Sequence, residues 1–162
     1  MKRREFIAGI GGTIACPLVV HAQQNPKLPR IGCLVSAAPP HPFAEALTRG
    51  LQKLGYIEER NIALEFHYSG GRRDRAAEIA ADFAQRRVDV IVAHLTPAVR
   101  AALEATRTIP IAMAPAGGPV QSGFVASLAR PGGNVTGLSN MDAEIGGRRL
   151  QLFKELIPGL HM

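Results

Sequence analysis

Apolar and polar positions fall in blocks along this chain, and their period switches repeatedly between that of a strand and that of a helix. After a polar, proline-containing stretch at 23–29, residues 31–35 form a continuous apolar run of the kind a parallel sheet buries on both faces. The run breaks at Ser36-Ala37-Ala38-Pro39-Pro40. Phe43, Leu47, Leu51 and Leu54 then recur at helical spacing, and Gly55 supplies a left-handed cap that ends the helix. Ile62, Leu64, Phe66 and Tyr68 alternate with Asn61, Ala63, Glu65 and His67, which predicts a second strand with one polar face.

The alternation continues. Residues 74–87 carry Ala77, Ile79, Ala80 and Phe83 among charges and predict a helix; residues 88–93 predict a mostly apolar strand. Thr96-Pro97 places a hydroxyl at a cap position and a proline at the first helical position, so a helix is expected over 97–106. A fourth strand is expected over 109–114, with Pro110 near its start where a missing donor matters least. A glycine-rich loop at 116–118 leads to a short helix at 120–128, a turn at 130–134 and a fifth strand at 135–139. Ile145, Leu150, Leu152, Phe153, Leu156 and Ile157 mark one more helix, ending at Pro158-Gly159. Five strands alternating with helices through short connections define the expected fold class: α/β, a doubly wound parallel five-stranded sheet.

The first 22 residues follow a different pattern. Lys2-Arg3-Arg4 precedes an apolar run at 6–20, and Val20-His21-Ala22 offers a cleavage site, so residues 1–22 are expected to be a signal peptide cut after Ala22. Arg3-Arg4 before Glu5-Phe6-Ile7 has the spacing of a twin-arginine signal, and Gly9, Gly11 and Gly12 keep the run mildly hydrophobic. A membrane span wants about 20 apolar residues; this run is shorter and is broken by glycines and Pro17. Cys16 in Thr13-Ile14-Ala15-Cys16 only weakly resembles a lipid-attachment box. Gly9-Ile10-Gly11-Gly12 lacks the preceding strand that a dinucleotide loop requires.

Cleavage would leave about 140 residues, enough for one buried core. The net charge of +6 would fall to about +4, spread over helices. Aromatic residues are few and do not interleave with basic ones, which argues against nucleic acid as a partner. Cys33 alone would remain after cleavage, inside an apolar run, so no intramolecular disulfide is expected and the thiol reads as a small buried hydrophobe.

In open parallel sheets, ligands bind outside the carboxyl ends of the strands where the winding reverses. That rule selects the loops over 36–42, 94–98 and 115–118, and with them Ser36, Ala37, His41, His94, Thr96, Pro97, Pro115 and Ala116 as ligand-binding candidates. Thr96 stands out, because a hydroxyl at a helix start can hold a ligand anion beside unpaired N–H groups; its plainer role would be to cap its own helix. His41, His94 and Ser36 invite a hydrolase reading. No Gly-x-Ser-x-Gly elbow is present, however, and none of these loops offers an acid to orient an imidazole. The histidines lack short ligand spacing, so neither a metal nor a cofactor is expected. The charges at 72–75 read as a solvated helix start, and Asn134-Val135-Thr136 as an accidental glycosylation match.

The segment order resembles the substrate-binding proteins of bacterial ABC transporters, in the group of tryptophan and tyrosine transporter binding components. Arg3-Arg4-Glu5-Phe6-Ile7, the Ala22-Gln23-Gln24 junction, Gly50-Leu51-Gln52-Lys53-Leu54-Gly55-Tyr56 and Asn61-Ile62 carry the likeness. So do Val88-Asp89-Val90-Ile91-Val92, Thr96-Pro97-Ala98 and Ile109-Pro110-Ile111. The most specific string is Ser127-Leu128-Ala129-Arg130-Pro131-Gly132-Gly133-Asn134-Val135-Thr136-Gly137-Leu138-Ser139. Residues 147–158 look like the helix that opens a second lobe in such proteins.

The resemblance implies one lobe of a type I periplasmic-binding-protein-like fold, with a first lobe at 30–140 and a hinge plus the first helix of a second lobe at 141–162. The chain would then be a partial copy of an exported, periplasmic component that binds a small solute such as an amino acid and hands it to a membrane permease. It implies no enzyme. The alternatives are a small flavodoxin-like or hydrolase-like exported enzyme, or the sensor lobe of a regulatory receptor. A lobe alone leaves its ligand open to water on one side, and the last helix would lack a sheet to cover its apolar face.

Overall fold

The computed structural model describes residues 27–140 and 142–157. The expected signal segment at 1–22, its cleavage after Ala22 and most of the leader lie outside the described residues. Strand β1 (Arg30–Val35) leads to helix α1 (Pro42–Lys53), then β2 (Ala63–Tyr68), α2 (Arg73–Gln85), β3 (Val90–His94), α3 (Leu95–Ala105), β4 (Ile111–Gly117), β5 (Val135–Asn140) and α4 (Asp142–Leu156). The sheet order is β2-β1-β3-β4-β5, and every neighbouring pair is parallel. This is the doubly wound α/β sheet that the alternation predicts.

The two faces of the sheet are built differently. Leu34, Ile91, Ala93, Ile111, Met113 and Val135 point to one face and form a single core with Ala76, Ile79, Ala80 and Phe83 of α2 and Ala98, Val99, Ala101 and Ala102 of α3. Gly32 admits the Phe83 ring, because a Cβ there would stand 2.8 Å from it. Alternation sends Cys33 and Val35 to the opposite face, where right-handed crossovers place α1. Helix α1 fully buries none of its residues. Cys33 is inaccessible, and burial, with Glu58 and Glu65 adding to it, pushes its thiol up to about 12. It is an inert core group, as its apolar surroundings in the sequence suggest.

Three local expectations are corrected. Residues 120–128 form turns, not a helix: Gly118 and Gly123 take left-handed φ values of 49° and 71°, and the Phe124 and Val125 amides both bond back to the Pro119 carbonyl. The fourth strand runs on through Pro115 and Ala116, with a register shift between Met113 and Ala116 that accommodates a residue without an N–H. Helix α3 begins earlier than its Thr-Pro signal suggests, with His94 at the cap position and no capping side chain. The helix at 142–156 does form; Leu150, Leu152, Phe153 and Leu156 lie exposed on it. Among the described residues, no helix is long and apolar enough to cross a membrane.

Candidate functional site

Strands β1 and β3 are neighbours, yet the chain leaves β1 toward β2 and leaves β3 toward β4. Their carboxyl ends therefore open a crevice where the winding reverses. The register pairs Val35 with His94, which puts Ser36 and Leu95 next in line at the edge. Ser36 and His94 are each only 6% exposed, and Ser36 Oγ and His94 Nδ1 are buried without a hydrogen-bond partner. Each such unpaired group costs about 1–3 kcal/mol in a folded protein. The backbone beneath is well tied: Ser69, Gly70 and Gly71 donate to the carbonyls of Val35, Ala37 and Ser36.

The first turn of α1 covers this edge. His41 occupies the cap position with Pro42 first in the helix, and His41 Nδ1 accepts from the Phe43 amide at 3.2 Å. The Phe43 ring stacks on His94 with centroids 4.4 Å apart, and the His41 ring lies 5.0 Å from it. Burial first, and the neighbouring His41 second, hold His94 below the ordinary histidine range. It is a neutral imidazole at neutral pH, able to donate from one ring nitrogen and accept at the other.

Thr96 sits inside α3 and does not cap it: its Oγ1 accepts from the Gly117 amide at 3.1 Å, tying α3 to the end of β4. A Cβ on Gly117 would stand 3.2 Å from Asn140 Oδ1 and 3.8 Å from Thr96 Oγ1, so these three residues meet where β4 and β5 end. Between His94 and Thr96, Leu95 makes the turn from strand to helix with φ of +70°. For an L-residue with a Cβ that conformation costs roughly 1–2 kcal/mol.

Of the candidates read from the sequence, Ser36, Ala37, His41, His94 and Thr96 gather along the carboxyl edge of β1, β3 and β4. Pro97 faces a groove of about 390 Å³ between α2 and α3, which Thr96, Arg73, Ala77, Arg100 and Glu104 also line. Pro115 is half-buried within β4, and the Ala116 side chain is fully buried in the core. Phe43 and Asn140 join the edge from outside the selected loops, and Leu95 and Gly117 join it from within them without having been singled out. Phe43 carried a signal, since it follows the His41-Pro42 cap directly; its helical spacing suggested core instead. Among the described residues, no group of three or more His, Cys, Asp and Glu side chains could hold a metal ion.

An α/β lobe whose hydrogen-bonding groups and aromatic rings collect at the switch point has the form of one wall of a ligand cleft. Residues 34–162 match the family described as ABC transporter substrate binding protein, and the chain belongs to that family. It is 35% identical over 122 residues, 73% of its length, to a tyrosine-binding protein of Clostridioides difficile. Among solved structures it is similar to a conserved domain protein from Vibrio cholerae (33% identity, TM-score 0.71, 82% of this chain and 45% of that one). It is also similar to the ligand-free, open form of a substrate-binding protein with adhesive properties from Clostridium difficile (31%, TM-score 0.67, 78% and 44%). A further neighbour is a Streptococcus pneumoniae ABC domain in complex with L-Trp (29%, TM-score 0.62, 70% and 39%). The chain spans 35% of the length of the tyrosine-binding relative. Its family is one of solute-binding proteins, not of enzymes.

Proposed function

We propose that this chain is an exported solute-binding component of an ABC importer, whose lobe at 30–140 supplies one jaw for a small solute and whose segment at 141–162 supplies a hinge and the first helix of a second lobe. The solute is an amino acid with an aromatic side chain. One observation carries this reading: the His41, Phe43 and His94 rings meet at the switch point beside two buried polar atoms that lack partners, Ser36 Oγ and His94 Nδ1. Flat rings offer stacking area to an aromatic group, and polar atoms without partners within the protein offer hydrogen bonds to a solute. The tyrosine and tryptophan named for two relatives agree with that chemistry. The basic start, apolar run and Ala22 junction support export to the periplasm, where a membrane permease would receive the solute.

Thermal unfolding across a panel of amino acids, amides and organic anions tests the reading. Saturable protection by L-tryptophan or L-tyrosine is expected, amounting to about 2.7 kcal/mol at a hundred times Kd. No protection by any aromatic amino acid, with protection by another class, would overturn the assigned solute; none by any compound would overturn binding by this chain.

A further inference from the structure

We infer that Leu95 is a specificity-determining residue of the solute site, turned out over its rim by a left-handed backbone; the inference rests on the solute-binding reading above. The residue is boxed in from both sides. His94 before it is fixed by the ladder to Val35 and by the Phe43 stack, and Thr96 after it is fixed by the Gly117 amide. One residue remains in which the chain must pass from strand to helix, and it does so at φ +70°. Glycine makes such a turn without steric cost. Here the position holds a leucine.

Among the described residues, two other non-glycine residues share a positive φ. Arg87 (φ 51°) directly follows the C-cap of α2, where a left-handed residue is the ordinary way to end a helix. Glu59 (φ 62°) sits in the tight loop before β2, its amide bonded to the Ile62 carbonyl. Both are polar and exposed. Leu95 is apolar, 38% exposed and next to the buried polar pair at the crevice. Its strain is not offset by a place in the core, since it is absent from the core cluster. A branched apolar side chain held at the rim by a rigid turn presents a fixed surface to the apolar body of a solute.

Titration calorimetry with L-tryptophan and L-tyrosine, together with ligand-free thermal unfolding of the same variants, tests this. Leu95→Ala and Leu95→Gly are both expected to weaken the better probe about tenfold, while Leu95→Met, which conserves volume, stays within about threefold of the parent. Without ligand, Leu95→Gly should unfold about 2–4 °C above Leu95→Ala. At an ordinary helical position alanine would be the more stable of the two. Parent-like affinity in both small variants would overturn the role of Leu95 while leaving the solute-binding reading intact, and alanine more stable than glycine would overturn the strained turn. If the parent chain binds neither probe, the solute-binding reading falls and the role of Leu95 with it.

Discussion

Two polar regions sit on this one sheet and are finished to different degrees. At the start of β1, the Arg30 guanidinium meets Glu65 at 3.0 Å, Arg86 meets the other oxygen of Glu65 at 2.6 Å and Asp82 at 2.8 Å, and the Arg30 amide donates to Asp89 at 2.7 Å. Burial works against a charge on Glu65, but hydrogen bonds from Arg86 and Arg30 and their charges prevail and hold its carboxyl below the usual range. Behind this corner lies Phe83, with Arg86 over its face at 5.6 Å and His67 against its edge at 5.2 Å. At the opposite end of β1, Ser36 Oγ and His94 Nδ1 have no partners and Leu95 is held at a left-handed φ. Glu65 and Asp82 meet arginines and Asp89 meets an amide, which leaves Arg86 Nη2 as the corner's one buried polar atom without a partner, whereas the rim keeps two such atoms and local strain as well. Structure that only has to hold pairs its charges, and structure that has to bind leaves strain and hydrogen bonds for a ligand to meet.

The largest effect expected from breaking this contrast is at the corner. Phe83→Ala should cost about 3–5 kcal/mol, because the ring fills the space that Gly32 leaves and is fully buried. Solute affinity of the folded fraction should not change. Phe83→Leu, a milder loss, keeps the test available if the alanine variant fails to fold. A chemical denaturation curve paired with a solute titration measures both. A loss of affinity that tracks the loss of stability would show that corner and rim are not separate.

The rim predicts the reverse sign. Ser36→Ala removes a buried hydroxyl that has no partner, so the ligand-free lobe should gain up to about 1 kcal/mol. Affinity should fall by about three- to tenfold, since a solute loses a group it would have paired with. The two readouts moving in opposite directions, in denaturant and in titration, would mark Ser36 as a binding group. A drop in stability would mark it as an ordinary structural hydroxyl.

How much of this was legible beforehand follows the same division. Periodicity exposes the strands and helices because each buries one face or both, and the parallel order follows from their alternation. Local capping chemistry was ambiguous. His41-Pro42 and Thr96-Pro97 look alike in the sequence, but only the first caps its helix; the Gly117 amide, brought in by β4, claims the Thr96 hydroxyl. Pro115 read as the end of a strand until a register shift beside it carried β4 onward. His41 and His94 could each be selected from the edge rule, but their meeting over Phe43 depends on the Val35 and His94 register, which no local pattern encodes. Leu95 fell within the selected loop at 94–98 but was not singled out, because a leucine gives no warning of a left-handed backbone.

Acid separates the two regions by pH. His94 titrates below its ordinary value in the folded lobe, so the unfolded chain takes up the proton first as pH falls. Its contribution is complete above the unfolded-state value of about 6.5 and is lost as pH drops from there through the folded value. Glu65 has the same sign in a lower window: its stabilisation is complete above a carboxylate's ordinary value of about 4.3 and disappears below it. Denaturation midpoints from pH 8 to pH 3 should therefore decline in two stages. His94→Gln should flatten the upper stage alone, and Glu65→Gln the lower stage alone. If His94→Gln leaves the upper stage in place, then the imidazole is solvated in the folded lobe. The rim would in that case be no drier or less complete than the corner.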